Sequence, residues 1–196
     1  MPPTFEIRAD YDRDTIVVYQ AYSERIAVPA VRAGTFVAPF SFNRMTWIKP
    51  SFLWLMERSN WGQKSGQENI LAVRISRAGW DEALSAGVLT HWEKSVYPTH
   101  EEWRRAFDAA LVHVQWDPER SLGGESLTHR TIQVGVSRHV IGKYAKEWIR
   151  EIRDITPLVQ KLRAAKGKAR SASLPGEKPY LVDPRIAQRL GMNAGA

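Results

Sequence analysis

The sequence predicts an α+β domain, and three features carry that expectation. Thr15-Ile16-Val17-Val18-Tyr19-Gln20, Asn69-Ile70-Leu71-Ala72-Val73-Arg74-Ile75-Ser76 and Arg130-Thr131-Ile132-Gln133-Val134-Gly135-Val136 are β-branched or alternating runs of strand length. Between and after them lie stretches with helical spacing, above all Ile141, Tyr144, Ala145, Trp148 and Ile152. A chain of 196 residues that is 43% hydrophobic can bury a sizeable core, and its length suits one domain.

Taken in order, Phe5-Glu6-Ile7-Arg8 alternates like a short strand and Asp10, Asp12 and Asp14 form turns before the strand Thr15 to Gln20. Ser23 then caps a helix through Ile26, Ala27, Ala30 and Val31 that stops at Gly34, with Pro29 kinking it or delaying its start. The stretch from Arg44 to Lys64 holds three of the eight tryptophans, Trp47, Trp54 and Trp61. Such ring density is mostly buried, with Arg44, Lys49, Arg58 and Lys64 around the edge. Extended residues before Pro50 feed a helix beginning near Ser51, which makes a strand-to-helix corner suited to a ligand.

Beyond that corner, Asn69 to Ser76 is the clearest strand, with Leu71, Val73 and Ile75 on one face. Trp80 to Ala86 reads as a helix closed by Gly87, Val88 to Trp92 as a returning strand, and Thr99 as the cap of a peripheral helix carrying Trp103, Phe107 and Leu111. In Gln115-Trp116-Asp117-Pro118-Glu119-Arg120 the Asp-Pro pair predicts a turn, and Gly123-Gly124 leads on to the strand Arg130 to Val136. There Ile132, Val134 and Val136 face one way, Thr131, Gln133 and Gly135 the other. A helix follows from Val140 to Ile152, ended by Asp154-Ile155-Thr156-Pro157, and a second helical segment reaches about Ala165.

Residues 1–165 are thus expected to form the domain, and residues 166–196 a basic flexible linker and tail that adds little to the core. No run is apolar enough to span a membrane and the N-terminus lacks signal-peptide character, so a cytoplasmic location is expected. With no cysteine and five histidines without ligand spacing, no metal site is expected. His91, His113, His129 and His139 are isolated and read as solvent-exposed. The net charge of +7 favours an anionic partner such as a nucleic acid, although Lys161, Arg163, Lys166, Lys168 and Arg170 crowd a segment that reads as solvated linker.

Val18-Tyr19-Gln20-Ala21-Tyr22, Arg44 through Trp54, Gln115 through Arg120, Arg130 to Gly135 and Asp154-Ile155-Thr156-Pro157 together resemble the domain of unknown function 4291 family. The order of elements is also similar, more distantly, to the ADP-ribosyltransferase superfamily, especially its DNA-modifying toxin branch. Tyr19-Gln20 followed by Ser23 to Gly34 and Phe36 resembles a strand ending in a Tyr-His-like pair, then a helix closed by Gly-Phe. Arg44 or Lys49 beside Phe52-Leu53-Trp54 resembles the superfamily's basic residue at a helix start, and Arg130 to Val136 its Glu-bearing strand, with Gln133 where the Glu would stand.

This second resemblance implies a split β-sheet around a central cleft with flanking helices, NAD as substrate, and DNA or RNA as acceptor. It implies a catalytic set of Gln133, Glu119 and Lys49, with Glu119 as the replacement acid, and cofactor contacts from Arg8, Gln20, Tyr22, Arg44, Trp47 and Trp54. An amide hydrogen-bonds a ribose hydroxyl but is no carboxylate base. The alternative is a catalytically silent module of the same fold that binds a nucleotide or nucleic acid. Each residue also has an ordinary role available: an ion pair for Arg8, Arg44 and Lys49, core packing for Tyr22, Trp47 and Trp54, a satisfied hydrogen bond for Gln20 and Gln133, and a turn for Glu119.

Overall fold

In the computed structural model the described residues are 4–165 and 173–192, and they form an α+β fold. The strands are β1 (Arg8–Ala9), β2 (Thr15–Tyr22), β3 (Thr46–Ile48), β4 (Asn69–Ser76), β5 (Gly87–Leu89), β6 (Val112–Arg120), β7 (Ser126–Val136), β8 (Ile149–Asp154) and β9 (Lys178–Pro179). The helices are α1 (Glu24–Ala33), α2 (Phe52–Ser59), α3 (Arg77–Ser85), α4 (His100–Asp108), α5 (Ile141–Lys143), α6 (Thr156–Ala164) and α7 (Pro184–Arg189), with a π-helical turn at Tyr144–Trp148.

Two sheets frame the molecule. One has the order β2-β4-β8 and is antiparallel throughout; the other has the order β3-β7-β6-β5, in which only β5 and β6 are parallel. Alternation in β2 sends Ile16 and Val18 into the main core with Val73, Ile132, Val134, Trp80 and Trp148. Val17 and Tyr19 point into a second core with Phe52, Leu55, Met56, Val159 and Leu162. A strand buried on both faces explains the unbroken apolar run Ile16-Val17-Val18-Tyr19.

Beyond their shared core, a backbone bridge among the described residues joins the two sheets. The Tyr19 N–H donates to the Lys49 carbonyl at 2.7 Å, and on the far side of that bond β2 and β3 diverge. The strands near Val17 and Val73 therefore share one sheet while Ile132 lies in the other, and the gap between them is a cleft. Helix α2 packs against β2 and β6 at its base.

Three sequence expectations are corrected. Ile149 to Asp154 is strand β8, paired with β4, rather than the end of a helix. Ile149 and Ile152 are both buried, and a spacing of three satisfies helical periodicity as readily as this irregular ladder, which shifts register beside Ile75. Asp117-Pro118 lies within strand β6, not in a turn. Strand β5 covers only Val112 to Val114, leaving Pro118 beyond the parallel pairing, and the ladder to β7 shifts between Pro118 and Arg120.

The chain beyond residue 172 also contributes to the core, contrary to expectation. Tyr180 and Leu190 are buried, β9 pairs with β1, and the Tyr180 hydroxyl donates to Asp81 at 2.7 Å. A few anchoring side chains suffice to dock a segment whose composition is otherwise that of a linker. The linker residues 166–172 lie outside the described residues.

Candidate active site at the split between the sheets

Where the sheets part, a cleft of about 580 Å³ is lined by Trp47 from β3 and Lys49 just after it, Trp54 and Arg58 from α2, and Gln115, Asp117, Arg120 and Gln133 from the β6–β7 hairpin. A second compartment of about 300 Å³ shares Ala21, Trp47 and Lys49 with the first and adds Gln20, Tyr22 and Arg44. Pro50 and the Ser51 N-cap turn the chain from β3 into α2 so that both arms face this space. The Ser51 hydroxyl accepts from the Trp54 N–H at 3.2 Å and starts the helix.

Strand parity builds the floor. Ile132, Val134 and Val136 are in the core, so Gln133 points to the opposite face and into the cleft. Gln115 is its direct cross-strand partner, and Asp117 is two residues further along the same face. The Asp117 carboxylate accepts one hydrogen bond from Gln115 Nε2 at 2.8 Å and another from Gln133 Nε2 at 2.7 Å. Two amides thus aim one carboxylate into the cleft. Gly135 stands beside them because a Cβ there would come within 2.7 Å of the Met45 sulfur and 3.0 Å of the Trp47 ring, so its absence gives Trp47 its seat.

Lys49 is half-buried. Its ammonium donates to the Trp47 carbonyl at 3.2 Å and lies 5.6 Å from the centre of the Trp54 ring. Burial first and then the Arg58 charge, with Asp117 opposing them, together lower its pKa to about 8. Arg58 and Arg44 are exposed and have neither hydrogen bond nor ion pair among the described residues. Arg120 donates to the Gly124 carbonyl at 3.3 Å, yet its Nε is buried without a partner among those residues. The lining therefore offers Lys49, Arg44, Arg58 and Arg120 against the carboxylates Glu57 and Asp117.

Seven of the nine expected site residues meet here. Gln133, Lys49, Trp47 and Trp54 line the larger compartment; Gln20, Tyr22 and Arg44 line the smaller. Gln20 is fully engaged: its Nε2 faces Tyr22, Thr46 and the Trp47 carbonyl, and its Oε1 accepts from the Tyr144 hydroxyl at 2.6 Å. It ties the two sheets to the π-helical turn just past the point where they part. Burial pushes the Tyr22 hydroxyl up to about 12, against the opposing Thr46 hydrogen bond and Arg44 charge.

Two expected residues lie elsewhere. Glu119 is buried and accepts from the Ser51 hydroxyl at 2.9 Å and from the Arg120 N–H at 2.7 Å; the register shift after Pro118 turns it away from the face that carries Asp117. Arg8 pairs with Glu6 at 2.9 Å and donates to the Glu177 carbonyl at 3.2 Å, outside both compartments. His113 is half-buried rather than exposed, edge-on to Phe107 at 4.6 Å, and burial lowers its pKa. Asp117, Gln115, Glu57 and Gln67 also line the larger compartment, and sequence reasoning assigned none of them a role in the site. The alternation of Val112, Val114 and Trp116 was the available signal for Asp117.

The family described as a domain of unknown function, DUF4291, matches residues 6–180, and the chain belongs to that family. No curated protein matches the chain. Among the described residues no helix is long and apolar enough to cross a membrane, and no group of three or more His, Asp or Glu side chains has the arrangement to hold a metal ion.

Proposed function

We propose that this member of the DUF4291 family is an NAD-dependent ADP-ribosyltransferase acting on a nucleic acid, its two sheets forming that superfamily's split-sheet frame. Asp117 is the observation that carries the reading. It is a carboxylate held by two amides on the cleft floor, diagonal across the strand pair from Gln133, where the superfamily's Glu is expected. Asp117 thereby replaces Glu119 as the acid of the site, for Glu119 does not reach the cleft.

The lining fits a dinucleotide. Arg58, Lys49 and the unpartnered Nε of Arg120 suit phosphates, and Trp47 and Trp54 offer rings. Arg44 extends the positive charge into the smaller compartment, toward a nucleic-acid backbone. Cleavage of the nicotinamide–ribose bond passes through a cationic, oxocarbenium-like state, which a nearby carboxylate stabilises. Gln133 Oε1, without a partner among the described residues, accepts from a ribose hydroxyl, and Asp117 takes the proton of the attacking acceptor group.

Nicotinamide release from NAD in the presence of mixed DNA and RNA tests the reading. Asp117→Asn should slow release by about 10²–10⁴-fold, the usual loss of a general base. Glu119→Gln should retain the rate per folded molecule. NAD binding without release would instead favour a catalytically silent binding module. That second reading draws on Gln20 and on the Gln133 amide donor, whose hydrogen bonds are already made inside the protein.

A further inference from the structure

We propose that Lys49 is a nucleophilic amine that captures the carbonyl group of a phosphorylated aldehyde as an imine, with Arg58 and Arg120 holding the phosphate. This goes beyond the NAD reading and needs no NAD. The first support is the setting of the amine. Among the described residues Nζ forms no ion pair and one hydrogen bond, to the Trp47 carbonyl, and Lys49 lines both compartments. The Trp54 ring on one side and half-burial on the other limit its hydration. A lysine so placed, beside a second cation, keeps a large neutral fraction near pH 8, and the neutral amine is the nucleophile.

The second support is independent of Lys49. Arg58 is a free guanidinium among the described residues, and the buried Nε of Arg120 has a donor with nothing to receive it. A buried donor without a partner is costly unless a ligand or water accepts from it, and two guanidinium groups select an anion with several oxygens. A phosphate on these two groups leaves Lys49 free to meet the other end of the ligand.

The reaction balances without a further reagent. The Nζ lone pair attacks the carbonyl carbon and a carbinolamine forms. The carbonyl oxygen then leaves as water with the two hydrogens that the amine gives up. Asp117 lines the same compartment and is the carboxylate whose charge acts on Lys49, which makes it the group suited to relay those protons.

The test uses the full chain, pyridoxal 5′-phosphate as probe, borohydride reduction and peptide mapping by mass spectrometry. Lys49 should be labelled faster than the exposed Lys64, Lys94 and Lys146, with a half-maximal rate at pH of about 8. With each rate normalised to that of the same probe on free Nα-acetyl-lysine, which removes the masking of pyridoxal as its internal hemiacetal, pyridoxal should label Lys49 about tenfold more slowly, the loss of one good charge-assisted contact. Arg58→Gln, at an exposed position that leaves the core untouched, should erase most of that difference. Labelling of Lys49 no faster than that of the exposed lysines overturns the proposal. Equal normalised rates with the two probes overturn the assignment of the phosphate to Arg58 and Arg120.

Discussion

Because its Nε2 is bonded to Asp117, the Gln133 amide keeps its carbonyl oxygen for a ligand, and the same bond fixes the direction of the carboxylate. A glutamate at 133 would face Asp117 with like charge at hydrogen-bond distance, so an amide is the group this strand pair accepts once Asp117 is present. Gln133→Ala should therefore cost turnover more than stability. We expect a loss of about 1 kcal/mol for the half-buried hydrogen bond and strongly reduced nicotinamide release. Ile132→Ala, one residue away on the core face, should reverse the pattern, losing about 2–5 kcal/mol as a buried truncation while activity per folded molecule survives. Urea unfolding and single-turnover assays on the two variants separate the effects. If Gln133→Ala unfolds the protein and the folded remainder is fully active, the residue is structural. The face of Gln133 was legible from parity alone. The role of Asp117 was not, because an Asp-Pro pair carries a turn signal that the local irregularity of β6 overrides.

At the scale of elements, α2 is the arm that carries Trp54 and Arg58, and its N-terminus is unusually well held. Ser51 caps the Trp54 N–H, donates its own hydroxyl hydrogen to Glu119, and the Glu177 carboxyl accepts from the Phe52 N–H at 2.7 Å. Ser51→Ala removes the cap and leaves the buried Glu119 with one hydrogen bond fewer. A loss of about 1–2 kcal/mol follows, at the upper end of the range for helix caps, measured as a lower urea midpoint with an unchanged slope. An unchanged midpoint would mean that Glu177 alone holds this terminus. The start of α2 was readable from Pro50-Ser51, as was β4 from its alternation. The π-helical turn and β8 were not. Up to Trp148 the stripe Ile141, Tyr144, Ala145 and Trp148 is buried as helical spacing implies, and Ile152 continues it numerically although the backbone has become extended. Only pairing with β4, a contact between residues far apart in sequence, decides that boundary.

For the whole molecule, the docked C-terminal segment and the cleft leave a joint mark on the pH dependence of stability. Burial above all, with the neighbouring Glu119 and Asp10 charges helping and the Phe52 hydrogen bond and Arg8 opposing, raises the Glu177 carboxyl from an ordinary 4.5 to about 8. Between those two values the folded chain holds a proton that the unfolded chain releases. The contribution of Glu177 is thus complete below pH 4.5 and is lost as pH rises through about 8. Lys49 works in the opposite sense. Its folded value of about 8 lies below the ordinary 10.5, so its contribution is present above 10.5 and lost as pH falls through about 8. Together the two groups place a trough in stability near pH 8. His113, lowered by burial, erodes the acid side, and the buried Tyr19, Tyr22 and Tyr144 hydroxyls, all raised, erode the alkaline side above their ordinary value of 10. Differences between wild type and single variants remove these shared contributions. Urea midpoints at pH 6, 8 and 10 should show Glu177→Gln gaining on wild type from pH 6 to 8 and not beyond. Lys49→Met should hold level with wild type from pH 6 to 8 and lose ground to it from pH 8 to 10. Difference curves flat across these intervals would mean that both groups are hydrated in the folded protein, and that neither the segment around Glu177 nor the amine in the cleft is buried as described.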